Sequence, residues 1–187
     1  MMKRSLLRPR SVFATALAAA LGVAASLSAY ADVAPPEHKV KAAFIYNFVR
    51  FVEWPPVTAG TPIRVGVVGS DAIVSTVHEA LDGRSVGDRP ITVDRVMREE
   101  DAKAHDVLYV AGNNADLARR YVVASQGHSV LTVTECDRFL AVGSLVNFFF
   151  SDDTVRFAVN ASELEKSPIK MSSQMLQFAA MVRPEKS

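Results

Sequence analysis

The chain is 187 residues long and sets 21 Lys+Arg against 20 Asp+Glu, so it is neither a polycation that coats nucleic acid nor an acidic disordered tail. A hydrophobic content of 49% is enough for a sizeable core, while a single cysteine excludes a disulfide framework and a Cys-rich metal centre.

The first ten residues, MMKRSLLRPR, carry Lys3, Arg4, Arg8 and Arg10, the next eighteen are apolar, and Ala29-Tyr30-Ala31 ends small-x-small. That order predicts a secretory signal peptide over residues 1–31, cleaved after Ala31. Its apolar stretch is short beside the roughly 20 residues of a membrane span. Arg8-Pro9-Arg10 is not a twin-arginine pair, so export in the unfolded state is expected. Residues 32–187 then form one domain in the periplasm. Losing four basic residues drops Lys+Arg from 21 to 17 against 20 acidic residues, a formal charge of −3. This argues against nucleic acid or an anionic membrane surface as the main partner.

Ala34-Pro35-Pro36 reads as a stiff leader to a helix over Glu37–Glu53, stopped by Pro55-Pro56 with Trp54 at the turn. Residues 63–69 read as a buried strand and 71–81 as a helix, capped by Ser70 or Asp71 and closed by Asp82-Gly83. A strand over 91–97, a turn or short helix over 98–106 and a strand over 107–111 come next. A helix over 115–125 and a strand over 129–134 follow. The alternation predicts a three-layer, Rossmann-like α/β sandwich with a mostly parallel sheet. Residues 145–150 and 154–160 flank Ser151-Asp152-Asp153 as a C-terminal antiparallel hairpin. With Asp152-Asp153 as the turn, Phe150 faces Val155, Phe148 faces Phe157 and Val146 faces Val159, six apolar residues on one side. Residues 172–182 space Met175, Leu176, Phe178, Ala179 and Val182 as the apolar face of a last helix.

Catalytic motifs are sparse. Gly66-Val67-Val68-Gly69 lacks the third glycine of a dinucleotide fingerprint and reads as a tight strand-to-helix turn. His38, His78, His105 and His128 have no metal-ligand spacing, and the aspartates at 71, 82, 101 and 106 fall at element ends. No enzyme activity, cofactor or metal is expected. Cys136 reads as a small buried hydrophobe.

Two polar sets stand out in apolar surroundings. Asn47, Arg50 and Trp54 follow i, i+3, i+7 on the first helix, with Glu53 beside them. Arg156 and Asn160 share the hairpin's second face, where Phe149 could stack on the guanidinium. Either the sets form an internal clamp between helix and hairpin, or they belong to a partner-binding surface, for which Trp and Arg are favoured types. A ligand crevice at the strand ends near Gly69 and Gly112 is the alternative, and would make the protein a small-molecule-binding sensory module.

KAAFIYNFVRFVEWP (41–55) resembles the opening signature of the YfiR-like periplasmic proteins. VLTVTE (130–135) with DRF (137–139), VRFAVN (155–160) and MSSQML (171–176) agree with it in order. The resemblance implies an α/β periplasmic regulator without catalysis, typically a homodimer. Its type member represses an inner-membrane diguanylate cyclase, lowering cyclic di-GMP and biofilm formation, and an OmpA-like outer-membrane lipoprotein relieves the repression. Better-known members carry paired cysteines. This chain has only Cys136, so control by an internal disulfide is not available to it. Gly143-Ser144 stands where the family pattern has a glycine pair before the hairpin strand.

Overall fold

An eight-stranded sheet with helices on both faces organises the protein, which a computed structural model describes over residues 37–183. The expected signal peptide, its cleavage site and the Pro35-Pro36 leader lie outside the described residues. In chain order the elements are α1 (Glu37–Phe51), β1 (Val52–Glu53), β2 (Ile63–Val68), α2 (Asp71–Leu81), β3 (Ser85–Val86) and β4 (Arg89–Arg95). A 3₁₀ helix (Glu99–Ala104), β5 (Val107–Val110), α3 (Ala115–Ser125), β6 (Leu131–Thr134), α4 (Phe139–Val142) and β7 (Val146–Ser151) follow. The chain continues with β8 (Thr154–Asn160), α5 (Ala161–Lys166), β9 (Lys170–Met171), α6 (Ser173–Leu176) and β10 (Ala180–Val182).

The sheet runs β10-β8-β7-β6-β5-β2-β4-β3, with antiparallel pairing only at β7–β8 and β3–β4. The expected three-layer sandwich with a mostly parallel sheet therefore holds. Apolar residues of α1, α2 and one sheet face form the larger core, with Ile45, Phe48, Val65, Leu81, Tyr109 and Phe157 all buried. α3, α4 and the 3₁₀ helix cover the other face through Leu108, Val110, Ala118, Val122, Cys136 and Val142. Asn114 Oδ1 accepts the Leu117 N–H at 2.9 Å, opening α3 at Ala115, whereas Ser70 stands at the start of α2 without the side-chain cap bond expected of it.

The hairpin has the expected register, with Phe150 opposite Val155, Phe148 opposite Phe157 and Val146 opposite Val159. Asp152 and Asp153 take φ of 50° and 55°, the left-handed pair that a two-residue hairpin turn needs to match strand twist. Only Val146 and Asn147 pair with β6, so the rest of the hairpin projects past the sheet. α1 packs on that projection through aromatic rings. Phe48 meets Phe157 edge-on at 5.1 Å and Phe148 at 5.8 Å, and Phe44 meets Phe157 at 5.5 Å. Each such pair adds roughly 0.5–1.5 kcal/mol beyond area burial.

Two expected helices end differently. α1 stops at Phe51, not Glu53, because Val52 and Glu53 pair antiparallel with Met171 and Lys170, and the Ser172 N–H donates to the Phe51 carbonyl. The expected helix over 172–182 is only the single turn α6, after which Ala180–Val182 adds a parallel edge strand to β8. The unpaired edge of β8 offers backbone partners that continued helix would not use. Met175 is the one residue of the expected apolar face that is buried, whereas Phe178 is 76% exposed.

Candidate functional site

Asn47 is half-buried on α1 and lines a groove of about 530 Å³ with Phe44, Phe51, Phe157, Met175 and Phe178. Arg50, in the last turn of α1, is exposed, with its guanidinium carbon 5.8 Å from the Tyr46 ring centroid and 5.5 Å from that of Phe51. Glu53 is exposed on β1. Trp54 lies beyond the helix, half-buried, and its Nε1–H donates to the Asp106 carbonyl at 3.3 Å.

That carbonyl also accepts the Leu131 N–H at 2.8 Å, and the Asp106 carboxylate accepts the Arg64 N–H at 2.8 Å. Arg89 approaches the same carboxylate at 3.6 Å. Trp54 thus anchors the loop after β1 to the sheet end where β2, β5 and β6 begin.

The hairpin set is placed elsewhere. Arg156 is exposed opposite Phe149 in the ladder. Asn160 is buried, and its Oδ1 caps α5 by accepting the Glu163 N–H at 3.3 Å, while its Nδ2 has no partner among the described residues. Among the described hydrogen bonds and ion pairs none joins the helix set to the hairpin set. Aromatic rings hold α1 to the hairpin instead.

A polar cluster absent from the sequence reading occupies the opposite, C-terminal end of the strands. Glu135, just past β6, accepts the Tyr109 hydroxyl on one oxygen. Its other oxygen takes the Gly112 N–H at 3.2 Å and lies 3.0 Å from Lys41 Nζ. Lys41 is buried, pairs also with the half-exposed Glu37 one turn earlier, and sits 5.5 Å from the Phe150 ring centroid. Burial first, then the Glu135 charge, pushes the Tyr109 hydroxyl far above the ordinary tyrosine range, so it stays a donor. The one legible signal was Lys41 itself, which shares the i, i+4, i+7 stripe of Ile45 and Phe48.

This cluster lies beside Gly112, at the strand ends where an open α/β sheet would receive a ligand. Gly66 serves packing: a Cβ there would stand 2.6 Å from Val96 and 2.9 Å from the His105 ring. A second cavity, of about 190 Å³, lies at the other end of the sheet among Ser125, His128, Thr132, Glu163 and Lys166. Among the described residues no three His, Cys, Asp or Glu gather as a metal site.

A family model described as YfiR/HmsC-like matches residues 38–180. Among solved structures, a crystal structure of a conserved domain protein from Vibrio cholerae O1 biovar El Tor strain N16961 is similar, with a TM-score of 0.53 at 11% identity. The match covers 79% of this chain and 60% of that one, and at this identity it shows the fold alone. No curated protein matches the chain.

Proposed function

The chain belongs to the YfiR/HmsC-like family, and from that membership we propose that it is a periplasmic regulatory protein that represses an inner-membrane diguanylate cyclase by protein–protein contact. The family match, which takes in nearly every described element, is the observation that carries this reading. Repression is mass action: binding the cyclase's periplasmic domain more tightly in its inactive state shifts the population toward that state by the differential affinity. Cyclic di-GMP and biofilm formation fall as a result. An OmpA-like outer-membrane lipoprotein that sequesters the regulator would relieve the repression, and the regulator would act as a homodimer. Export depends on residues 1–31, with cleavage after Ala31.

Of the site candidates, the exposed Arg50, Glu53 and Arg156 suit a contact surface, and half-buried Asn47 borders an open groove. Trp54 and Asn160 suit structural anchoring, because their polar atoms are used inside the fold. Arg50→Ala should therefore leave a folded protein with altered repression, and Trp54→Ala should lower stability.

The decisive test is cellular cyclic di-GMP, measured by mass spectrometry in a strain lacking the gene. A rise on deletion, reversed by the full chain but not by one lacking residues 1–31, supports periplasmic repression. An unchanged level on deletion would overturn it.

A further inference from the structure

Tyr46, half-buried on α1 at the margin of the larger core, is flanked by two arginines. The guanidinium carbon of Arg84 lies 4.9 Å from the Tyr46 ring centroid and that of Arg50 lies 5.8 Å from it. Arg50 comes from the last turn of α1 and Arg84 from the turn between α2 and β3. Packing of α1 against α2 brings these distant positions together. Arg84 is held in place by its own backbone: its N–H donates to Leu81 at 3.1 Å and its carbonyl accepts the Ile91 N–H at 2.7 Å.

Neither guanidinium forms an ion pair or a side-chain hydrogen bond among the described residues, which is also true of Arg138 and Arg156, whereas Arg64, Arg89, Arg95, Arg98, Arg120 and Arg183 pair with a carboxylate; what sets Arg50 and Arg84 apart is that two such groups meet at one ring. Stacking occupies the face of a guanidinium and leaves its in-plane N–H donors free. Both guanidinium groups are exposed, so an acidic chain passing over the ring meets donors from each.

We propose that Arg50, Tyr46 and Arg84 form a docking surface for an acidic segment of a partner protein, whose carboxylates bridge the two guanidinium groups. This rests on the reading of the chain as a regulator that works by protein contact. An anionic membrane is the poorer occupant. Its surface is bound by clusters of about 4–8 basic residues, while two arginines form this patch and the chain from Asp32 onward is net acidic at −3. Arg and Tyr are also the types enriched at protein–protein hot spots.

The test uses a fluorescein-labelled, end-blocked peptide of six glutamates, titrated with the purified exported protein and followed by anisotropy at low salt and at about 0.15 M salt. Arg50→Gln and Arg84→Gln should each weaken binding about fivefold, the effect of losing one solvent-exposed charge pair. Both variants should retain the wild-type circular dichroism spectrum, because both residues are exposed. Lys103→Gln removes a positive charge from an exposed position of the 3₁₀ helix and should leave binding unchanged. Equal binding by all three variants overturns the proposal, as does binding of phosphatidylglycerol vesicles by a protein that ignores the peptide. The cyclic di-GMP experiment fails separately. An unchanged cyclic di-GMP level with arginine-dependent peptide binding removes the cyclase and keeps the acidic dock, and the converse removes the dock and keeps the regulator.

Discussion

Replacing Glu135 by Gln tests the polar cluster at the strand ends. The substitution keeps an acceptor for Tyr109 or Gly112 and removes the charge 3.0 Å from the buried Lys41 ammonium. Deleting one partner of a buried ion pair costs roughly 3–5 kcal/mol, because the other charge is left without compensation. Here Glu37 still reaches Lys41 and is itself half-exposed, so the loss falls to about 2–3 kcal/mol. Glu135→Ala also strands the buried Tyr109 hydroxyl, a further penalty of order 1 kcal/mol or more, whereas the exposed Gly112 N–H is left to water. Urea unfolding followed by far-UV circular dichroism measures both. In the double variant Lys41→Met/Glu135→Gln the buried charge is gone, so the two losses should fall short of additive by at least about 1 kcal/mol. The reasoning is refuted if Glu135→Gln lies within about 0.5 kcal/mol of wild type, or if the double variant is simply additive.

The same cluster has an alkaline signature. Tyr109 in the folded protein holds its proton far above the usual value near 10, so its stabilising share is complete below that pH. The unfolded chain ionises first as pH rises, and stability falls from about pH 10 upward; Tyr109→Phe should flatten that arm in urea midpoints measured across pH 9–11. Cys136 is buried, and burial raises its thiol pKa, so a disulfide reagent should react slowly with native protein and fast in urea. Rapid reaction of the native thiol would contradict the packing around α4. Phe48→Ala should cost about 3–5 kcal/mol, whereas Phe178→Ser, at a side chain 76% exposed, should change stability by less than about 0.5 kcal/mol. Comparable losses at the two positions would restore a long amphipathic C-terminal helix.

Local periodicity and turn chemistry determined much of this protein before any tertiary contact was known. The period of two along 145–160, with Asp152-Asp153 as the turn, sets a register that puts Val146, Phe148, Phe150, Val155, Phe157 and Val159 on one face, and that register is observed. The helix expected over 115–125 is α3 at Ala115–Ser125, and short apolar strands alternating with helices implied a mostly parallel sheet. The motif at 41–55 pointed to the family that the match over 38–180 shows.

Other features depend on residues far apart in the chain. An apolar spacing over 172–182 fits a helix or an edge strand, and the open side of β8 decided for the strand. Lys41 and Glu135 are ninety-four positions apart and meet only because the first turns of α1 come beside the C-terminal ends of β5 and β6. Arg50 and Trp54, neighbours on a helical wheel, diverge once α1 stops at Phe51 and β1 turns to pair with β9. The chain's own spacing decides which face a side chain takes within one element, whereas the partner it meets depends on which elements the fold sets side by side.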